Sequence, residues 1–158
     1  MRAGPGWLRL LGPLPVSPRC TAHLAPYRVA LGDFDLVVMD DANASDTAID
    51  PAQTPVYAAE LAGLKNGAKP TWLLLHRPIW AAIAGPLGIP VGGNIQLIAA
   101  VGKGLIPPPV ELMLSGHIHS FEALNYNSGV PPQIVAGNGG DNLDVTPANL
   151  KGAIFQGH

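Results

Sequence analysis

Largely apolar stretches, in which apolar and polar residues do not strictly alternate, are the most regular feature of this chain. They occupy residues 34–39, 71–75 and 111–115, and each is bounded by turn-forming residues. Short continuous apolar stretches of this kind are typical of buried strands in a parallel or mixed sheet. Two further stretches, residues 121–126 and 133–136, are separated by Asn-Ser-Gly turn chemistry and predict an antiparallel pair.

One helix is predicted from the spacing of apolar side chains over residues 54–67. Thr54 is placed to cap it, Pro55 suits the first turn, and Gly67 ends it. Residues 1–32 are rich in proline and are predicted to be irregular. The strands and the helix together predict an α/β domain over residues 33–158, with helices flanking the sheet.

The polar residues between residues 32 and 46 have no clear chemical role in the pattern. The Gly32-Asp33 pair predicts a turn into the strand, with Asp33 and Asp35 solvated. The group formed by Asp40, Asp41 and Asp46 together with Asn43 predicts a polar turn with local side-chain hydrogen bonds.

Charge and composition exclude several partner classes. The chain has 158 residues, enough for one domain with its own core, and a formal net charge of −2. No Lys/Arg stripe is present to neutralise phosphates, which argues against nucleic acid as a partner. Residues 78–102 carry no formal charge, but their prolines and glycines argue against a membrane span. Cys20 is the single cysteine, expected to be either inert or half of a disulfide to a cysteine upstream of this sequence.

Three histidines follow predicted strands and are the candidate chemical groups. His117 and His119 are two residues apart after residues 111–115, so their side chains leave one face of an extended segment, about 6–7 Å apart at Cβ. Such a pair suits two neighbouring metal ions. His76 follows residues 71–75 and is itself followed by Arg77. Because open α/β sheets build their sites at the carboxyl ends of strands, the three imidazoles are predicted to converge. His23 and His158 are assigned no role.

The chain resembles the calcineurin-like metallophosphoesterases, in particular the branch near purple acid phosphatases. Four segments carry the resemblance in order: FDLVVMDDAN at 34–43, WLLLHRPIW at 72–80, LSGHIHSFE at 114–122 and QIVAGNGGD at 133–141. The resemblance implies a partial metallophosphoesterase β-sandwich flanked by helices, with a short helix over residues 94–101.

The resemblance also implies a function and a set of site residues. The function is hydrolysis of phosphate mono- or diesters by a hydroxide activated between two metal ions of the Fe, Zn or Mn class, with a small phosphoester as substrate. His76 and His117 would ligate one ion and His119 the other. Arg77 and Asn138 would lie at the substrate; a surface or ion-pair role is the preferred alternative for Arg77, and a structural turn is an equal alternative for Asn138.

Parts of the family pattern are missing ahead of His76. The family places an Asp-x-His, a Gly-Asp-x-x-Asp and a Gly-Asn-His-Asp/Glu there, and this sequence has none of them before that residue. The bridging carboxylate is therefore expected from an amino-terminal half that this sequence lacks. The general acid is likewise expected upstream of Met1, and no catalytic residue is assigned within the chain itself.

The expectation is a carboxyl-terminal portion of a longer enzyme, in which Met1 is an internal or misassigned start. The missing amino-terminal half is then a candidate partner of this chain. The alternatives are a non-catalytic remnant or an interaction module that binds at most one metal ion.

Overall fold

The structure, a computed structural model, describes residues 23–85, 87, 90–102, 106–126, 129–139, 142–147, 150 and 153–157. The described strands are β1 (Tyr27–Leu31), β2 (Phe34–Val38), β3 (Thr71–Leu74), β4 (Ala82–Ala84), β5 (Pro90–Gly92), β6 (Val110–Ser115), β7 (Phe121–Tyr126), β8 (Gln133–Ala136) and β9 (Ala153–Gly157). The described helices are α1 (Thr54–Gly63), continued by a 3₁₀ turn at Leu64–Asn66, and α2 (Ile95–Val101).

A mixed sheet of seven strands, in the order β1-β2-β3-β6-β8-β7-β9, organises the described chain. The four central strands β2, β3, β6 and β8 run parallel. The outer strands β1, β7 and β9 pair antiparallel with their neighbours. Strands β4 and β5 form a separate hairpin. The carboxyl ends of β2, β3, β6 and β8 therefore lie along one edge of the sheet, where chemical groups can be collected.

The core fills the space between the sheet and the two helices. Strand side chains such as Leu73 and Met113 pack in one buried cluster with Tyr57 and Leu61 of α1 and Leu97 of α2. Burial of apolar side chains on this scale is the main favourable contribution to folding. The mixed α/β architecture predicted from the sequence is confirmed.

The predicted elements match the observed ones closely, with differences at their ends. The central strands and the antiparallel β7–β8 pair are confirmed, as is the short helix, which Asn94 caps by accepting a hydrogen bond of 2.8 Å from Leu97 N. The predicted cap of α1 is wrong. Gln53 occupies the cap position without a side-chain bond, and Thr54 Oγ1 instead donates to Asp50 O at 2.9 Å.

The irregular segment predicted over residues 1–32 is corrected at its end, because Tyr27–Leu31 forms an edge strand. Leu31 faces Phe34 across the two-residue turn Gly32-Asp33, and Gly32 adopts φ +73°. A glycine with positive φ at the first turn position fits the right-handed twist of a tight hairpin.

Several of the sequence predictions fall on residues that the structure does not describe. Residues 1–22, which include Met1 and Cys20, lie outside the described residues, as do His158 and parts of the turns at 127–129 and 138–140. The general acid expected upstream of Met1 and the pairing of Cys20 therefore stay predictions.

No described helix reaches the length and apolarity that crossing a lipid bilayer requires.

Candidate functional site

The carboxyl ends of β3 and β6 bring two of the predicted histidines together. The two strands are parallel neighbours, and the pairing continues beyond them: Leu75 N donates to Leu114 O at 2.9 Å, and Gly116 N donates to His76 O at 3.1 Å. The ring centroids of His76 and His117 consequently lie 5.0 Å apart, with their planes at 62°. The parallel pairing of β3 and β6 thus places these two histidines at one edge of the sheet.

The backbone of His117 is held in an unusual conformation. Its φ is +65°, in the left-handed region that side chains with a Cβ rarely occupy. Such a residue persists only where surrounding contacts hold it, and these outliers gather at functional sites. Surrounding contacts therefore hold His117, in the turn of the Gly-His-x-His segment, in a backbone conformation that it would not adopt by itself.

Asp41 fixes the backbone of the His76-Arg77 segment. This fully buried carboxylate accepts the backbone N–H of His76 at 2.6 Å through Oδ1 and that of Arg77 at 2.8 Å through Oδ2. Burial raises the pKa of Asp41 to about 6, although the two N–H groups oppose the rise. The prediction that Asp41 belongs to a self-contained polar turn is wrong, because its side chain reaches across to the next strand end.

Asp46 and Arg77 meet at the imidazole of His117. Arg77 Nη1 donates to Asp46 Oδ2, and Nε2 of His117 lies 2.8 Å from Arg77 Nη1 and 2.9 Å from Asp46 Oδ2. Asn94 Nδ2 donates to the other oxygen of Asp46 at 2.8 Å. The ion-pair role considered for Arg77 is observed, whereas the assignment of Asp46 to a simple turn is wrong.

Electrostatics at His76 favour the neutral imidazole. Partial burial lowers the pKa of His76, and the neighbouring His117 and Arg77 lower it further, against the opposite effects of Asp46 and Asp40. A neutral ring keeps a nitrogen lone pair, which is the form that ligates metals.

His119 takes separate partners. Its Nδ1 lies 3.0 Å from the carbonyl oxygen of Asn142, its backbone N donates to Asp144 Oδ2 at 2.8 Å, and Asp144 N donates back to His119 O at 2.9 Å. Because a carbonyl only accepts, Nδ1 carries the proton, and a neutral ring then presents the Nε2 lone pair. Asn138 is exposed just beyond the carboxyl end of the neighbouring strand β8.

The arrangement around His117 does not fit a metal ion as it stands. Within the described part of the chain, no group of three or more His, Cys, Asp or Glu side chains is placed to hold a metal. The Nε2 atom of His117 is in contact with the Arg77 guanidinium, itself a cation. His119 is different, because the contact of its Nδ1 with a carbonyl is the second-sphere partner typical of ligating histidines.

A mostly apolar cavity of about 380 Å³ opens beside His76. Its polar lining consists of Asp40, Asp41 and His76, and the rest comes from apolar side chains on β1–β3 and the chain that precedes β1.

Comparison with known proteins identifies the fold. No protein-family model matches the chain, and no curated protein matches it. The structure is similar to that of the purple acid phosphatase PPD1 isolated from yellow lupin (Lupinus luteus) seeds, with a TM-score of 0.53 and 19% identity over 84% of this chain. It also matches GAP50, the anchor in the inner membrane complex of Plasmodium, with a TM-score of 0.49 and 15% identity over 83% of this chain.

The matches cover only part of the similar proteins. The chain spans 26% of the lupin phosphatase and 42% of GAP50. At these identities, similarity to the lupin structure shows the fold and not the activity. The predicted metallophosphoesterase fold is confirmed, over a fraction of that fold's length.

Proposed function

We propose that this chain carries the histidine portion of a metal-dependent phosphoester hydrolase. In this proposal His76 and His117 ligate one ion and His119 ligates a second. One observation carries the proposal: in a metallophosphoesterase fold, adjacent strand ends hold the rings of His76 and His117 5.0 Å apart. The reaction class is hydrolysis of phosphate mono- or diesters, which dimetal sites catalyse with a metal-activated hydroxide.

The chain's own residues would position these ligands. Asp41 would hold the turn that carries His76, and the Asn142 carbonyl would fix the proton of His119 on Nδ1. Arg77 and Asn138 are proposed to contact the phosphoryl group, for which a planar guanidinium is well suited. The cofactors of the complete site would be two ions of the Fe, Zn or Mn class.

The carboxylates of such a site, and its general acid, would come from polypeptide upstream of Met1. No acidic residue in the described ranges completes a three-ligand group with the histidines. The chain alone is therefore expected to hydrolyse p-nitrophenyl phosphate only weakly. Vigorous hydrolysis by the pure chain, abolished by His117→Ala, would show that the acidic ligands are already present in it.

Metal binding tests the ligand assignment directly. Zn²⁺ is titrated calorimetrically into the full chain and into His117→Ala, His119→Ala and, as a control, His23→Ala. His23 is paired with Glu60 at 2.7 Å and has no role in the proposal. A Zn²⁺ stoichiometry that falls in each of the first two variants and is unchanged in the third supports the assignment; equal binding by all four proteins contradicts it.

A non-catalytic protein that binds a single ion is the second candidate. The contact of Arg77 with His117 favours it, since His119 is then the better prepared ligand. The two candidates differ in stoichiometry: a calorimetric end point of two Zn²⁺ per chain favours the hydrolase portion, and an end point of one favours the second candidate.

A further inference from the structure

The guanidinium of Arg77 places a positive charge next to the imidazole of His117. Arg77 is held at both ends, by Asp41 at its backbone N–H and by Asp46 at its guanidinium. Its Nε also donates to Ala42 O at 3.2 Å. With these contacts made, Nη1 lies 2.8 Å from Nε2 of His117.

The contact between Arg77 and His117 occupies Nε2 of His117, the nitrogen through which a metal ion would bind. Nε2 of His117 is engaged in either tautomer: with a lone pair it accepts from the Arg77 guanidinium, and with the proton it donates to Asp46 Oδ2, 2.9 Å away. A metal ion binds through an imidazole lone pair as well. A metal ion bound at Nε2 would therefore take the place of these contacts, and the guanidinium 2.8 Å from Nε2 would repel its charge.

We propose that Arg77 is a resident cation at His117, which a divalent metal ion must displace before it binds there. The idea rests on the proposed function, because it takes His117 as a metal ligand. Displacement breaks the pair with Asp46 and frees the guanidinium for an anion. The affinity of the site for metal is thereby lowered by the energy of holding Arg77 in place.

Removing the guanidinium tests the competition. Zn²⁺ affinity is measured by calorimetry with a competing chelator, at one pH, for the full chain and for Arg77→Gln. The variant is expected to bind about fivefold more tightly, because about 1 kcal/mol, the upper value for a partly exposed ion pair, corresponds to roughly a fivefold change in affinity. Arg28→Gln is the matched control. Arg28 pairs with Asp35 at the opposite end of the strands, and its substitution should leave the affinity unchanged.

A second measurement needs no variant. In the metal-free chain the Nε–H of Arg77, bonded to Ala42 O, should give a protected ¹H–¹⁵N signal. Saturating Zn²⁺ is expected to expose this group to solvent exchange and weaken the signal. A signal that persists at saturation overturns the proposal, as does an affinity of Arg77→Gln equal to or below that of the unmodified chain.

The outcomes distinguish failure of the resident-cation proposal from failure of the proposed function. Zn²⁺ binding that depends on His117 but is indifferent to Arg77→Gln removes the resident-cation idea and leaves the proposed function standing. Absence of Zn²⁺ binding in both the unmodified chain and Arg77→Gln overturns both.

Discussion

Gly137 lies where β8 ends against the loop that carries the candidate histidines, and its replacement should be the most damaging single-atom addition near the site. A Cβ built at this position would lie 1.8 Å from the carbonyl oxygen of Ile118 and 2.8 Å from its carbonyl carbon. Both atoms belong to the backbone, so no side-chain rotation relieves the clash. In Gly137→Ala the loop must retreat by more than about 1 Å, in an interior that is close-packed.

The cost follows from the rigidity of both partners. Overpacking typically costs about 1–3 kcal/mol, and a clash between two backbone segments belongs at the upper end. Gly137 is not among the residues with positive φ, so the cost is steric rather than conformational. For a chain of this size, about 3 kcal/mol corresponds to a melting temperature lower by roughly 6–12 °C.

Thermal unfolding followed by circular dichroism measures this effect, and two neighbouring glycines provide matched controls. A Cβ added at Gly116 or Gly139 would meet nothing within 4 Å. Gly116→Ala and Gly139→Ala should therefore change stability by less than about 1 kcal/mol. If Gly137→Ala unfolds at the same temperature as these controls, Gly137 is not packed against Ile118 as described.

Three further outcomes are expected. Burial raises the pKa of Asp41 from 3.8 to about 6, so the folded state binds this proton more tightly than the unfolded state. The unmodified chain should therefore lose up to about 3 kcal/mol of unfolding free energy between pH 4 and pH 7, measured against Asp41→Asn, which cannot titrate at this position. A difference between the two proteins that stays constant over this pH range in urea titrations would contradict this. Asp35→Ala removes a buried carboxylate 2.8 Å from Arg28 and should cost about 1–2 kcal/mol in the same assay, while the exposed Asp33→Ala should cost almost nothing; equal effects would rule out a role for the pair. His117→Gly should be neutral or up to about 1 kcal/mol stabilising, because it relieves a left-handed backbone, and should lower the Zn²⁺ stoichiometry by one ion per chain; a loss of stability above about 2 kcal/mol would show that the ring holds the loop.

Apolar patterning was sufficient to predict β2, β3, β6, β7 and β8, whose apolar stretches are bounded by turn residues, whereas β1, β4, β5 and β9 were not predicted. Residues 71–75 and 111–115 became β3 and β6, and their parallel pairing placed His76 and His117 at one edge. The helix cap failed because Ser/Thr residues near a helix start compete for several positions, and Thr54 used its hydroxyl to donate to Asp50 O.

The carboxylates of the site were missed for a spatial reason. Asp41 follows β2 as His76 follows β3, and the same strand-end argument applied to it, but a local turn offered equally good partners in the sequence. Asp46 lies farther along the loop, where no periodicity links it to residues 77 or 117. Contacts between loops of separate strands depend on tertiary packing, which a single sequence does not encode as a pattern.

The pair of Arg28 with the buried Asp35 was missed because β1 was assigned to an irregular segment. Asp35 was therefore predicted to be solvated, whereas it is 7% exposed. In the observed hairpin Ala30 faces Asp35, so Arg28 is the diagonal neighbour on the same face. The hairpin register alone would have predicted the pair.

Asn94 serves two structures with one side chain. Its side-chain oxygen accepts a hydrogen bond from Leu97 N in the first turn of α2, and its side-chain nitrogen donates to Asp46 and to the carbonyl of Ala44. Any event that moves Asp46, such as the release of Arg77, should therefore disturb Asn94 and the hydrogen bond with which it caps α2. Hydrogen exchange at the amide of Leu97 should thus report ligand arrival at a histidine on a different element, and would let the site be monitored from the protein interior.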